Sequence, residues 1–230
     1  MASPSTPRPR GPKPSRVHPD HLLDAAQTVF AHSGLQAASL RAIARQAGCD
    51  PALIYYHFQD KEAMFEALLD RTLGPVVVEL SALTDPQDPR TVAERFWKVL
   101  RIYHDHLGQN VGMRGLVRGE IVRGSEGIRE NIAKRVLPAL GAIVRLISLG
   151  IERGEIREDT SPQLTTFFMV RMELEILDLI PVMARHITQI PDDQALALAE
   201  QAWFRLFWRG IATRPDEPLP FLLDEDKARP

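Results

Sequence analysis

From Pro19 to about residue 211 the apolar residues recur at helical spacing, and no stretch alternates apolar and polar side chains as a half-buried strand would. A chain patterned this way folds by packing helices on helices, so the expected class is all-α. Punctuation divides the pattern. Leu22, Ala26, Val29 and Phe30 form one stripe, closed by Ser33-Gly34, where glycine suits the left-handed position after a helix. Ser39 is a good N-cap for a second stretch, which Gly48 stops. Asp50-Pro51 restarts the chain, with Asp as cap and Pro at the first helical position, for a helix that runs only to about Phe58. Asp60 caps a further helix through Met64, Phe65, Leu68 and Leu69 to about Gly74. Two short helices across a glycine-containing turn form the helix-turn-helix pattern.

Beyond Pro75 the helices lengthen. Pro86–Pro89 is a loop, and Thr91 with Glu94 forms a capping box before the stripe Phe96, Val99, Leu100, Tyr103 and Leu107. Met113–Arg123 is a helix. Ser125 opens another toward Gly150 or Gly154, kinked at Pro138. Ser161-Pro162 starts a long helix with Pro181 as a bend, and Asp192 or Asp193 starts the last. The expected organisation is a disordered basic arm over 1–18, a helix-turn-helix domain over 19–65, a larger helical domain over 66–212 and a flexible C-terminal tail over 213–230. The arm is rich in Pro and Ser, with four bases and no acid, and it offers too little apolar surface to pack.

The 230 residues are 44% apolar, enough for a sizeable core. A single cysteine, Cys49, excludes an internal disulfide and fits a reducing cytoplasm. No run of eighteen apolar residues is present, so no membrane span is expected, and the N-terminus lacks the apolar core of a secretory signal. Net charge is −2, but it is unevenly spread: residues 1–61 carry +3 and the remainder −5. A basic head on an acidic body hints at an anionic partner for the head.

The stretch CDPALIYYHFQDKEAM, residues 49–64, sharpens that hint. Ile54 and Phe58 share one helical face, which leaves Tyr55, Tyr56 and His57 pointing elsewhere. One short helix cannot bury every side. Phenol hydroxyls, imidazole and the nearby Lys61 ammonium all bond phosphate oxygens, and a helix entering the major groove needs such outward groups. The bland alternative, that one tyrosine is core, stays open for either tyrosine singly.

Residues 34–70, GLQAASLRAIARQAGCDPALIYYHFQDKEAMFEALLD, resemble the DNA-binding domain of the TetR family of bacterial repressors. The resemblance rests on a first helix of small and apolar residues, a Ser-capped second helix, the Gly48 turn and Ile54-Tyr55-Tyr56-His57-Phe58-Gln59-Asp60-Lys61-Glu62; it covers about residues 19–70. It implies an N-terminal three-helix DNA-binding domain followed by a larger helical ligand-binding and dimerisation domain. It also implies that Ser39 and Arg41 touch DNA, that Leu53, Tyr55 and Tyr56 lie on the recognition helix, and that His57 and Lys61 meet phosphates. Asp50 stands where Ser is common and Ala52 where Gly is common. Asp50 still caps, but its charge must point away from phosphate or bind water. Cys49 reads as a small core residue rather than a redox sensor.

In the body, Phe167, Phe168, Ile176, Trp203, Phe207 and Trp208 make the last two helices apolar beyond the needs of one subunit, which suits a homodimer; full use within one subunit is the alternative. Phe96, Leu100, Tyr103, Phe168 and Met172 are placed to wall an apolar cavity, with Arg171 and Glu175, four apart, as a polar tip. Ordinary core packing and a solvated edge explain the same residues. His104 and His106 diverge by roughly 200° on a helix and cannot share an ion. No phosphate loop, nucleophile elbow or paired-cysteine motif is present. The expectation is a cytoplasmic bacterial transcriptional regulator without metal or other cofactor. It would be a repressor, dimeric on a palindromic double-stranded operator and released by an unknown small-molecule effector. The helix from Asp60 is then the natural lever. Rival readings are an all-helical enzyme or small-molecule carrier, or a helical protein–protein adaptor.

Overall fold

A computed structural model describes residues 18–108, 110–187 and 192–224. The expected basic arm lies outside the described residues except for His18, whose ring accepts the Asp20 N–H and caps the first helix. The elements are α1 (Pro19–Ala37), α2 (Leu40–Ala47), α3 (Pro51–His57), α4 (Lys61–Ala82), α5 (Val92–Tyr103), a π-helical turn (His104–Gly108), α6 (Val111–Arg123), α7 (Glu126–Glu152), α8 (Pro162–Ile187), α9 (Asp192–Ile211) and α10 (Phe221–Asp224). Among the described residues the only β pairing is an isolated bridge between Ile156 and Ala212.

Local signals act where they stand. Ser39, Asp50, Asp60, Thr91 and Ser125 each accept a first-turn N–H, and Thr91 with Glu94 closes the capping box. Gly48 sits at φ 65°, the left-handed geometry that lets its N–H turn back to the end of α2. One stop fails. α4 does not end at Gly74 but continues through Pro75 to Ala82. Proline removes the N–H that would bond the Arg71 carbonyl. Burial of Val76 and Leu80 just beyond outweighs that loss.

Two apolar clusters organise the molecule. The first joins Leu22, Phe30, Ile43, Ile54, Phe65 and Leu68 of α1–α4 to Met113, Leu116, Ile128 and Ile132 of α6 and α7. This cluster joins residues on both sides of the boundary expected near residue 65. The second packs α5, α7, α8 and α9 around Phe96, Trp97, Phe204, Phe207 and Trp208. Arg95, wholly buried, donates to the carbonyls of Leu83, Asp85, Asp88 and Arg90 and closes the loop before α5.

Within the expected tail, residues 213–222 make contacts with the helical body. The Thr213 hydroxyl donates to the Gly154 carbonyl at 2.7 Å, Leu222 is fully buried and Phe221 sets its ring edge-on to Phe204. The apolar Phe221-Leu222 pair finds a cleft beside α9 that no local pattern announces.

Candidate nucleic-acid interface and effector cavity

The α2–turn–α3 unit is built to hold one face outward. Ile54 is fully buried and pins α3 from behind. Tyr55 and Tyr56 are then 62% and 80% exposed. His57 is half-buried and lies edge-on to Tyr56, ring centroids 4.9 Å apart. Ser39 and Arg41 are exposed at the start of α2, and Leu53 is half-buried. The Ser39 hydroxyl accepts from the Ala42 N–H at 3.2 Å, and the Asp50 carboxylate is occupied by the Ala52 N–H at 2.8 Å. Lys61 is placed differently from a free phosphate ligand. Its Nζ donates to the carbonyls of Gln36 at 2.7 Å and Ala38 at 3.3 Å, tying α4 to the end of α1. His21, which sequence reasoning passed over, meets the Ala47 carbonyl at 3.1 Å and ties α1 to the end of α2. Burial, helped by the Asp50 carboxylate, pushes the Cys49 thiol above its ordinary pKa, which makes it a poor nucleophile.

A cavity of about 260 Å³ lies between α4, α5, α6, α7 and α8. Its walls are mainly apolar, including Leu73 and Val76 of α4, Val117 and Ile121 of α6, and Val170 and Leu174 of α8. Its charged groups cluster on α6 and α8. Arg114 is buried and donates to Asp178 at 2.7 Å. Arg118 and Arg171 both donate to one oxygen of Glu175.

The α6 helix has a second face. Its Glu120 carboxylate, 6% exposed, accepts the Leu35 N–H of α1 at 3.2 Å, and Asn110 just before it accepts from Gln27 at 2.8 Å. Arg71 of α4 reaches the Asp24 carboxylate at 2.9 Å. The helices that wall the cavity therefore also grip the helix-turn-helix unit.

The family model for bacterial regulatory proteins of the tetR family matches residues 22–68, which run from α1 through α2 and α3 into α4. The N-terminal unit of the chain is similar to the DNA-binding domain of the TetR family. The chain is 27% identical over 154 residues to the A-factor receptor protein of Streptomyces griseus, covering 65% of this chain and half of that protein. It is 25% identical over 157 residues to the HTH-type transcriptional regulator UidR of Escherichia coli, covering 67% of this chain and 75% of UidR. Among solved structures, the transcriptional regulator FadR of Bacillus subtilis, in complex with stearoyl-CoA, superposes with a TM-score of 0.68 at 20% identity. That match covers 84% of this chain and 98% of FadR, and at this identity it speaks for fold. UidR and FadR are both named as transcriptional regulators.

The residues expected at the cavity divide. Tyr103, Arg171 and Glu175 line it. Phe96 and Leu100 do not: both are core, and Phe96 packs against Phe207 and Trp208. Phe168 and Met172 do not either, being 61% and 44% exposed. They sit two positions from Val170 and Leu174, roughly 200° around α8, so they face away from the cavity those residues wall. Of the residues expected to make a dimer face, Ile176, Phe207 and Trp208 are buried within the subunit and Trp203 is half-buried. The α6 wall was missed altogether; the stripe Met113, Val117, Ile121 was its only mark in the sequence. His104 and His106 go separate ways, to Glu200 and Glu79, each at 2.6 Å.

Proposed function

We propose that the chain is a ligand-responsive repressor, working as a dimer on a roughly two-fold operator, with the α2–α3 face on DNA and the cavity as effector site. The single observation that carries this reading is α6, which walls the cavity on one side and bonds α1 on the other. A ligand that reshapes the cavity shifts the helix-turn-helix through Glu120 and Asn110. Such a ligand acts only through its different affinity for the two arrangements, and couplings of about 1–3 kcal/mol change DNA affinity roughly 5–150-fold. Both α4 and α6 are levers on this reading.

On DNA, Tyr55, Tyr56 and His57 reach phosphates or base edges, with Ser39, Arg41 and Leu53 beside them; the Lys61 ammonium keeps donor capacity beyond its two carbonyls. The dimer face is assigned to the apolar side chains that α8 and α9 leave exposed. Leu164, Phe167, Phe168, Leu179 and Leu206 are all more than half exposed, a patch of the kind subunit contacts cover. No helix among the described residues is long and apolar enough to cross a membrane.

The test begins with selection of bound sequences from genomic DNA. On the selected operator, Tyr55→Ala with His57→Ala weakens binding more than about tenfold, and wild-type affinity falls steeply with salt. Dimerisation and melting stay unchanged, because neither side chain holds the core. A collapse of folding in this variant defeats the assignment. Glu120→Ala leaves effector affinity intact but cuts effector-driven release from the operator, and Glu120→Gln, which retains the acceptor for Leu35, keeps it. Equal release by all three proteins defeats the α6 route.

A further inference from the structure

We infer that the cavity takes an anionic amphiphile, its apolar chain inside and its carboxylate between Arg118 and Arg171, where the Glu175 carboxylate now stands. This rests on reading the cavity as the effector site. Arg118 and Arg171 come from different helices, their side chains are 49% and 44% exposed, and both donate to the same Glu175 oxygen, Oε1. An arrangement of two guanidiniums around one carboxylate oxygen is a carboxylate site already filled by the protein's own side chain. Glu175 is itself partly exposed and can swing to solvent when a ligand replaces it. The second acid at the rim, Asp178, is engaged by Arg114 at 2.7 Å and by Arg118 at 3.4 Å. Three guanidiniums therefore face two carboxylates, leaving a net positive rim on an apolar hole. A neutral ligand would gain nothing from that charge, and a cation would meet it as repulsion.

Titration calorimetry of the full-length dimer with decanoate, 1-decanol and decyltrimethylammonium, each below micelle formation, tests the charge selection. Decanoate binds at least about tenfold tighter than decanol, as charge-assisted hydrogen bonds predict, and the ammonium ion binds weakest. Arg118→Gln with Arg171→Gln abolishes the preference for decanoate and leaves decanol affinity unchanged. Glu175→Gln tightens decanoate severalfold, because the internal competitor is gone. Decanol or the ammonium ion binding as tightly as decanoate, or a weaker decanoate affinity in Glu175→Gln, overturns the anionic assignment while the cavity remains an effector site. Failure of all three probes to bind the folded protein overturns both readings.

Discussion

Arg114→Met lowers the stability of the protein by about 3–5 kcal/mol, the cost of breaking a buried charged network from one side. The side chain is 4% exposed and all three of its guanidinium nitrogens donate. Nε donates to Asp178, Nη1 to the carbonyls of Leu107 and Gly108 at the end of the π-helical turn, and Nη2 to the Leu177 carbonyl at 3.0 Å. The Leu177 bond has a specific origin. Pro181 lies four residues on and has no N–H, so the Leu177 carbonyl lacks its helical donor. Arg114 supplies one from another helix. Methionine keeps much of the volume but takes that donor from the Gly108 and Leu177 carbonyls, each worth about 1–3 kcal/mol when buried and unsatisfied, while the Leu107 carbonyl keeps the Asn110 N–H at 3.0 Å. For a chain of this size the melting temperature falls by about 10 °C. Arg114→Lys, with up to three donors on a point charge, recovers part of the loss. A melting shift below about 2 °C in Arg114→Met refutes the network's importance.

The second large effect is a pH dependence centred on Glu173. This α8 carboxyl is fully buried, and neither oxygen has a hydrogen-bond partner among the described residues. Arg101 and Tyr103 of α5 and Glu200 of α9 act on it electrostatically, and His104 of the π-helical turn bonds Glu200. Loss of solvation raises the Glu173 pKa to about 8, the Glu200 carboxylate adds to the rise and Arg101 opposes it. The folded state therefore holds a proton that the unfolded chain has already released. Stability falls as pH rises from the ordinary glutamate range to about 8, and the loss levels off above that. Between its two plateaus the contribution of this one group is on the order of 5 kcal/mol. Glu173→Gln retains the shape and cannot ionise. Urea unfolding from pH 5 to 8.5 shows a declining wild-type stability and a flatter variant, with the variant more stable at the alkaline end. The His104–Glu200 pair is present in both proteins, so the difference between them isolates Glu173. Parallel pH profiles defeat the prediction.

The helix-turn-helix was legible because its signals are local. Ser39, Gly48 and Asp50-Pro51 each act within a turn of themselves, and Ile54 has one face to bury on a helix of seven residues. The exposure of Tyr55 and Tyr56 follows from that alone. The cavity was not legible for the opposite reason. The α8 helix is apolar on two faces, and periodicity does not say whether Val170 and Leu174 or Phe168 and Met172 turn inward. The α4 stop failed because a glycine–proline pair is a local penalty that distant burial of Val76 and Leu80 exceeds.

The sequence alone determined an all-helical chain, the position of the helix-turn-helix and the identity of its outward groups, since caps, turns and short-range sterics need only neighbours in the chain. Only the tertiary structure decided that Arg114 answers a carbonyl freed by Pro181, that Glu120 grips α1, that two arginines share Glu175 and that Leu222 is core. Each of these joins residues far apart in the chain, and their energies depend on burial and on which partner is brought within hydrogen-bonding distance, quantities that no local pattern encodes.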